Sequence, residues 1–229
     1  MKLKLFLFTC IFAAFSLTFA QATDFESLLS SNDADEICLL EDELIERANS
    51  IITDESLLSK PITSADIDWS SAYKIYVDSD IFQSNTTSTE KILDSLESQD
   101  LYIWQLPIQS GSYTLVANFS KRLAPDADAL SLQSEEKQAD FLASVGDWVI
   151  TVISLYDSDA NMPGWRTKLE ESIAANQLDA PDQMGILIGG ESGIHSVMGL
   201  VANEQEVTHI IPLQADLDID MTSTYSERS

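Results

Sequence analysis

Tyr73-Lys74-Ile75-Tyr76-Val77-Asp78-Ser79-Asp80 and Trp148-Val149-Ile150-Thr151-Val152-Ile153-Ser154-Leu155-Tyr156-Asp157-Ser158-Asp159 are the stretches on which the fold turns. Each is a run of β-branched and aromatic residues that ends in Asp-Ser-Asp, the composition of a strand stopped by a turn. In the second run Trp148, Ile150 and Val152 fall on one face and Val149, Ile153 and Leu155 on the other. Apolar residues on both faces predict a central strand.

Outward from these stretches the order of signals repeats. After Asp80 come a helix at Glu90 to Ser98, a strand at Leu101 to Ile108, a Ser110-Gly111 turn and a strand ending Leu115-Val116-Ala117-Asn118. After Asp159 come a helix at Trp165 to Asn176, a strand at Met184 to Ile188, Ser192-Gly193 and Leu200-Val201-Ala202-Asn203. Ile92, Leu93 and Leu96 form the buried stripe of the first helix, and Trp165, Leu169 and Ile173 that of the second. Tyr113, Leu115, Ala117 and Phe119 alternate with polar residues, which predicts a strand covered on one side. Between the copies, Pro125 to Ser134 is a polar linker and Glu135 to Val145 a helix stopped by Gly146. Val207 to Leu213 is a last strand, and Pro212 favours an edge for it. His209 alternates there with Val207 and Ile211 and shares their inward face.

The expected fold is therefore α+β (mixed α/β): two similar strand-helix-strand-strand units, 69–121 and 146–214, build one domain spanning 65–214. A helical segment, 23–64, precedes it. Residues 23 to 34 are polar and read as loose; from Asp35 to about Ser59, Ile37, Leu40, Leu44, Ala48 and Ile51 recur at helical spacing, with a break near Thr53-Asp54. Lys60-Pro61 ends the helix. Residues 215–229 read as a polar tail.

The first 22 residues carry an address. Lys2 and Lys4 precede the apolar run Leu5 to Leu17, and Ala20-Gln21-Ala22 has the small-x-small spacing that signal peptidases cut. The run is shorter than the roughly 20 residues that span hydrocarbon; a retained N-terminal anchor is the alternative to cleavage. Cys10 leaves with the leader, so Cys38 has no partner in its own mature chain, and an exported bacterial protein, secreted, periplasmic or at the cell surface, is expected.

The chain has 12 Lys+Arg against 38 Asp+Glu, a formal charge of −26. That charge repels phosphate backbones, so nucleic acid is excluded as a partner. The acids are dispersed along the chain, the pattern of a solvated coat. With 45% hydrophobic residues the chain still builds a core.

Residue types for catalysis are few. Asp78, Asp80, Asp157 and Asp159 offer hard oxygen ligands suited to Ca²⁺ if the two copies pack about a pseudo-twofold, but Met162 and Lys168 stand where an EF-hand loop needs glycine and glutamate. The competing role is capping and turning the chain through side-chain to backbone hydrogen bonds. His195 with Ser192 or a carboxylate is the nearest approach to a hydrolase, although Gly190-Glu191-Ser192-Gly193 breaks the nucleophile-elbow spacing. Cys38 sits among Asp35, Glu36 and Glu41, whose charge disfavours a thiolate. Trp69 and Trp104 are candidates for stacking on a sugar. The reading that follows is an exported, acidic, non-enzymatic binding domain for a protein, a peptide or a surface glycan, with an edge strand such as Val207 to Leu213 able to accept a partner's strand. A secreted hydrolase and a Ca²⁺-stabilised domain are its alternatives.

Overall fold

The computed structural model describes residues 24–54, 60–77, 89–97, 101–125, 130–157, 164–178, 184–189, 197–204 and 206–213. The elements in chain order are β1 Asp24–Phe25, α1 Ala34–Cys38, α2 Glu41–Asp54, β2 Tyr73–Val77, α3 Thr89–Glu97, β3 Tyr102–Ser110, β4 Tyr113–Lys121, α4 Glu135–Ala143, β5 Trp148–Asp157, α5 Trp165–Ala175, β6 Met184–Gly189, β7 Met198–Ala202 and β8 Val207–Pro212. The expected α+β fold is present, and the leader and tail lie outside the described residues.

All eight strands join one sheet in the order β5-β4-β3-β2-β6-β7-β8. At its centre β2 and β6 run parallel, with Ile75 opposite Leu187 and Val77 opposite Gly189. The other neighbours along this path are antiparallel. β1 pairs parallel with the start of β6, Phe25 opposite Gly185, and so extends the line of β2.

This topology corrects the two-halves reading. β2 is central and its following strands β3 and β4 lie beside it; β5 is at an edge, and its following strand β6 lies on the far side of β2. The two units therefore occupy non-equivalent places, and their common order reflects the shared turn and helix chemistry of strand-helix-strand segments. The central position expected of β5 is overturned as well. Its apolar residues on the outer face stay in contact with water, and Val152 is 47% exposed.

Helices cover both faces. On one, α1 and α2 press Ile37, Leu44, Ala48 and Ile52 onto Trp104, Leu106, Ile108, Leu115, Ala117, Phe119, Trp148 and Ile150. Burying each of the larger aliphatic side chains contributes roughly 1.5–3 kcal/mol. Beside them α3 sets Ile92 and Leu96 on Ile188, Leu200, Ala202 and Val207. On the opposite face α5 lays Leu169 and Ile173 over β2, β6 and β7. The approach is close: a Cβ on Gly199 would run into Leu169.

Local differences from the sequence reading have identifiable causes. The first helix breaks at Leu39-Leu40, where Leu39 is 83% exposed, and Glu41, Asp42 and Glu43 then open α2 at the end favoured by negative charge. Residues 24–33 are not loose: β1 is paired, Leu28 is buried completely, and Asp33 is buried. Thr114 and Val116 are buried along with Leu115, Ala117 and Phe119, so β4 is covered on both faces. In β8 the register skips Thr208, which puts Val207 opposite Ala202 but His209 opposite Val201. That one-residue bulge turns Val207 to the α3 face and leaves His209 with Ile211 on the α5 face. The edge place expected for β8 is observed. Among the described residues no helix is long and apolar enough to cross a membrane.

Candidate functional site

Asp78, Asp80, Asp159, Ser192 and His195 lie outside the described residues. The strands that lead into the two aspartate pairs are described, and they diverge. Val77 closes β2 at the end of the sheet where Tyr76 faces Tyr102, whereas Asp157 closes β5 opposite Tyr113, at the other end of β3 and β4. The strands that lead into the two pairs are therefore not related by the expected pseudo-twofold. Among the described residues no group of three or more His, Cys, Asp or Glu side chains could hold a metal ion.

The two tryptophans proposed for sugar stacking are engaged internally. Trp104 is completely buried and its indole N–H donates to Asp33 Oδ2 at 2.9 Å. Trp69 is half-buried; its N–H donates to Glu41 Oε2 at 3.1 Å and its ring packs against Phe119, with centroids 5.8 Å apart. For Trp104 an interior role replaces the platform, because the face a sugar needs is already covered.

Asp33 is a residue that sequence reasoning missed. It occupies the position before α1 yet makes no cap; its carboxylate turns inward and also accepts the phenol O–H of Tyr102 at 2.9 Å. Over the same rings lies Lys74, its Nζ 3.9 Å from the Tyr102 centroid and 4.9 Å from that of Tyr76, while it pairs with Glu26 at 3.0 Å. Burial first, and then the Asp33 carboxylate, push the Tyr102 phenol well above its ordinary range. The only sequence signal was the alternation of Tyr102 and Trp104, two aromatics with polar tips on one strand face.

Lys74 typifies the cations. Arg47 and Arg166 pair with Glu43 and Glu170, and Lys121, Arg122 and Lys168 lie over the rings of Trp148, Phe141 and Trp165. The few positive groups are thus largely occupied from within, and the outward field is that of the carboxylates.

The two sheet edges differ. At β8 the side chains of Val207, Ile211 and Leu213 are 3% exposed or less, and Pro212 has no N–H to offer a further strand. β5 is longer and less finished. It pairs with β4 alone among the described residues, its register skips Thr151, and Val152 is exposed. Ile153 and Leu155 point toward the core yet remain only partly buried. Arg47 of α2 reaches the carbonyl of Ile150 at 2.6 Å, occupying one backbone acceptor of this strand. Glu43, exposed on the same helix, pairs with Arg47 and so stands beside this edge.

Two groups named in sequence are shifted by their surroundings. Burial first, then Glu41 and Asp35, raise the Cys38 thiol, which disfavours thiolate chemistry. Burial lowers His209, whose Nδ1 sits 3.1 Å from Thr208 Oγ1. Compared with known protein families, curated proteins and solved structures, the chain matches none.

Proposed function

We propose that the protein is an exported, acidic binding domain that takes up a basic, extended peptide segment along β5. One observation carries the reading: Ile153 and Leu155, core-facing residues of a ten-residue edge strand, remain incompletely covered. A further strand laid along β5 covers them and supplies backbone partners, the recognition mode in which main-chain hydrogen bonds give affinity and alternate side chains give selectivity. Charge sets the partner's chemistry. The chain carries −26 overall, and Glu43 stands by the strand through its pair with Arg47, so basic side chains on the incoming segment are attracted and acidic ones repelled. Export rests on the Lys2–Ala22 leader pattern.

Hydrogen exchange with a peptide of alternating lysine and valine tests the site. The peptide is expected to protect amides of β5, with binding that weakens as salt rises. Val152→Lys places a positive charge at an exposed edge position and is expected to weaken binding at least tenfold without lowering the melting temperature. Protection confined to β8, or affinity unchanged by Val152→Lys, refutes the β5 site. For export, the leader-bearing gene expressed in a bacterium is expected to give a mature chain beginning at Thr23; recovery from the cytoplasm with Met1 attached refutes it.

A further inference from the structure

We propose that the cavity between Arg122 and α4 binds a small molecule with one carboxylate on an apolar body. The cavity has a volume of about 520 Å³, within the range of small-molecule sites. Its two cations are Arg122 and Lys137, and among the described residues neither has a carboxylate within ion-pair distance. Asp140 lines the same cavity without pairing to either of them.

Arg122 is held in place. Its backbone N–H donates to the Asp147 carbonyl and its carbonyl accepts from Gly146 N–H, each at 2.9 Å, which continues the β4–β5 ladder beyond Lys121. Gly146, at φ 93°, makes the left-handed turn that brings the chain from α4 back into this ladder. The guanidinium then lies over Phe141, 5.2 Å from the ring centroid. Its Nε is buried and has no hydrogen-bond partner. A carboxylate is the acceptor that a planar guanidinium fits best. Phe141, Leu130 and Pro125 provide apolar wall for the remainder of the ligand. Asp140 selects against a second negative charge.

The site adjoins the start of β5, away from Ile153 and Leu155, and is independent of the peptide reading. Its test is calorimetric titration with 3-phenylpropanoate, its uncharged amide 3-phenylpropanamide and inorganic phosphate, together with NMR observation of the Arg122 Nε–H resonance. The acid is expected to bind at least tenfold more tightly than the amide or phosphate and to shift the Nε–H signal. Arg122→Gln is expected to lose that preference while melting as the parent does, and Arg122→Lys to retain only part of it. Should Arg122→Gln fold poorly, the Nε–H shift in the parent decides the matter. Equal binding of acid and amide, tighter binding of phosphate, an unmoved Nε–H signal, or no binding at millimolar concentration overturns the proposal.

Discussion

Asp33 Oδ2 accepts the indole N–H of Trp104 at 2.9 Å, joining residues 71 positions apart across the space between the N-terminal helices and β3. Tyr102 donates to the same oxygen. Asp33→Ala leaves two part-buried or buried donors without their acceptor, at a cost of about 3 kcal/mol. Urea unfolding is the measurement. Asp35→Ala, at an exposed position on α1, is the control and is expected to change stability by less than about 0.5 kcal/mol.

Alkaline pH is expected to unfold the protein through two tyrosines. Burial raises the phenols of both Tyr73 and Tyr102, with Tyr156 adding to the first and Asp33 to the second. A group whose folded pKa lies above its unfolded value, about 10 for tyrosine, contributes stability that is complete below that value and lost as pH rises beyond it. Absorbance at the phenolate band should show two late-titrating tyrosines whose ionisation coincides with loss of near-ultraviolet circular dichroism. Ionisation of all tyrosines near pH 10 with the fold intact would contradict the burial.

Arg47 guards β5. Its contact with the Ile150 carbonyl is charge-assisted, whereas its ion pair with Glu43 is largely solvated. Arg47→Ala is expected to cost about 1 kcal/mol and to expose a strand acceptor. At 1 M salt the Debye length falls to about 3 Å and the repulsion between highly acidic chains is screened. Light scattering should then show association of the variant before the parent.

Gly199 gives way to Leu169. Gly199→Ala drives a methyl into a side chain that is completely buried, and overpacking of this kind costs roughly 1–3 kcal/mol. Leu169→Val in the same chain frees space, so the double variant is expected to lose less than the sum of the two single changes. Additive losses in thermal unfolding would show that the contact is not the cause.

The Cys38 thiol, raised by burial and by Glu41 and Asp35, is expected to react with a disulfide reagent at pH 8 more slowly than free cysteine. Glu41→Gln removes one of those charges and is expected to speed the reaction about twofold.

Local elements were legible because they depend on short-range pattern. Ile92 and Leu96 of α3, Leu169 and Ile173 of α5 and the Pro212 edge all sit where their spacing put them. Position in the sheet was not legible. Val149, Ile153 and Leu155 have the composition of a buried strand, and nothing local to them records that β6 inserts beside β2 and leaves β5 outermost. The face expected to be shared by Val207 and His209 was lost to a single bulge at Thr208, a shift that hydrophobic alternation does not encode. At the candidate sites the limit was the same: Ile150 and Arg47, or Arg122 and Phe141, meet only through tertiary structure.

The parallel pairing of Ile75 with Leu187 has a kinetic consequence. Its two partners come from early and late in the chain, so the centre of the sheet closes only after β6 has been synthesised, and the contact order is high. Folding of this kind is slow. The cluster around Trp104 and Phe119 is different, since all of its residues precede β6, so one core can consolidate early while the seam between β2 and β6 waits for the last third of the chain.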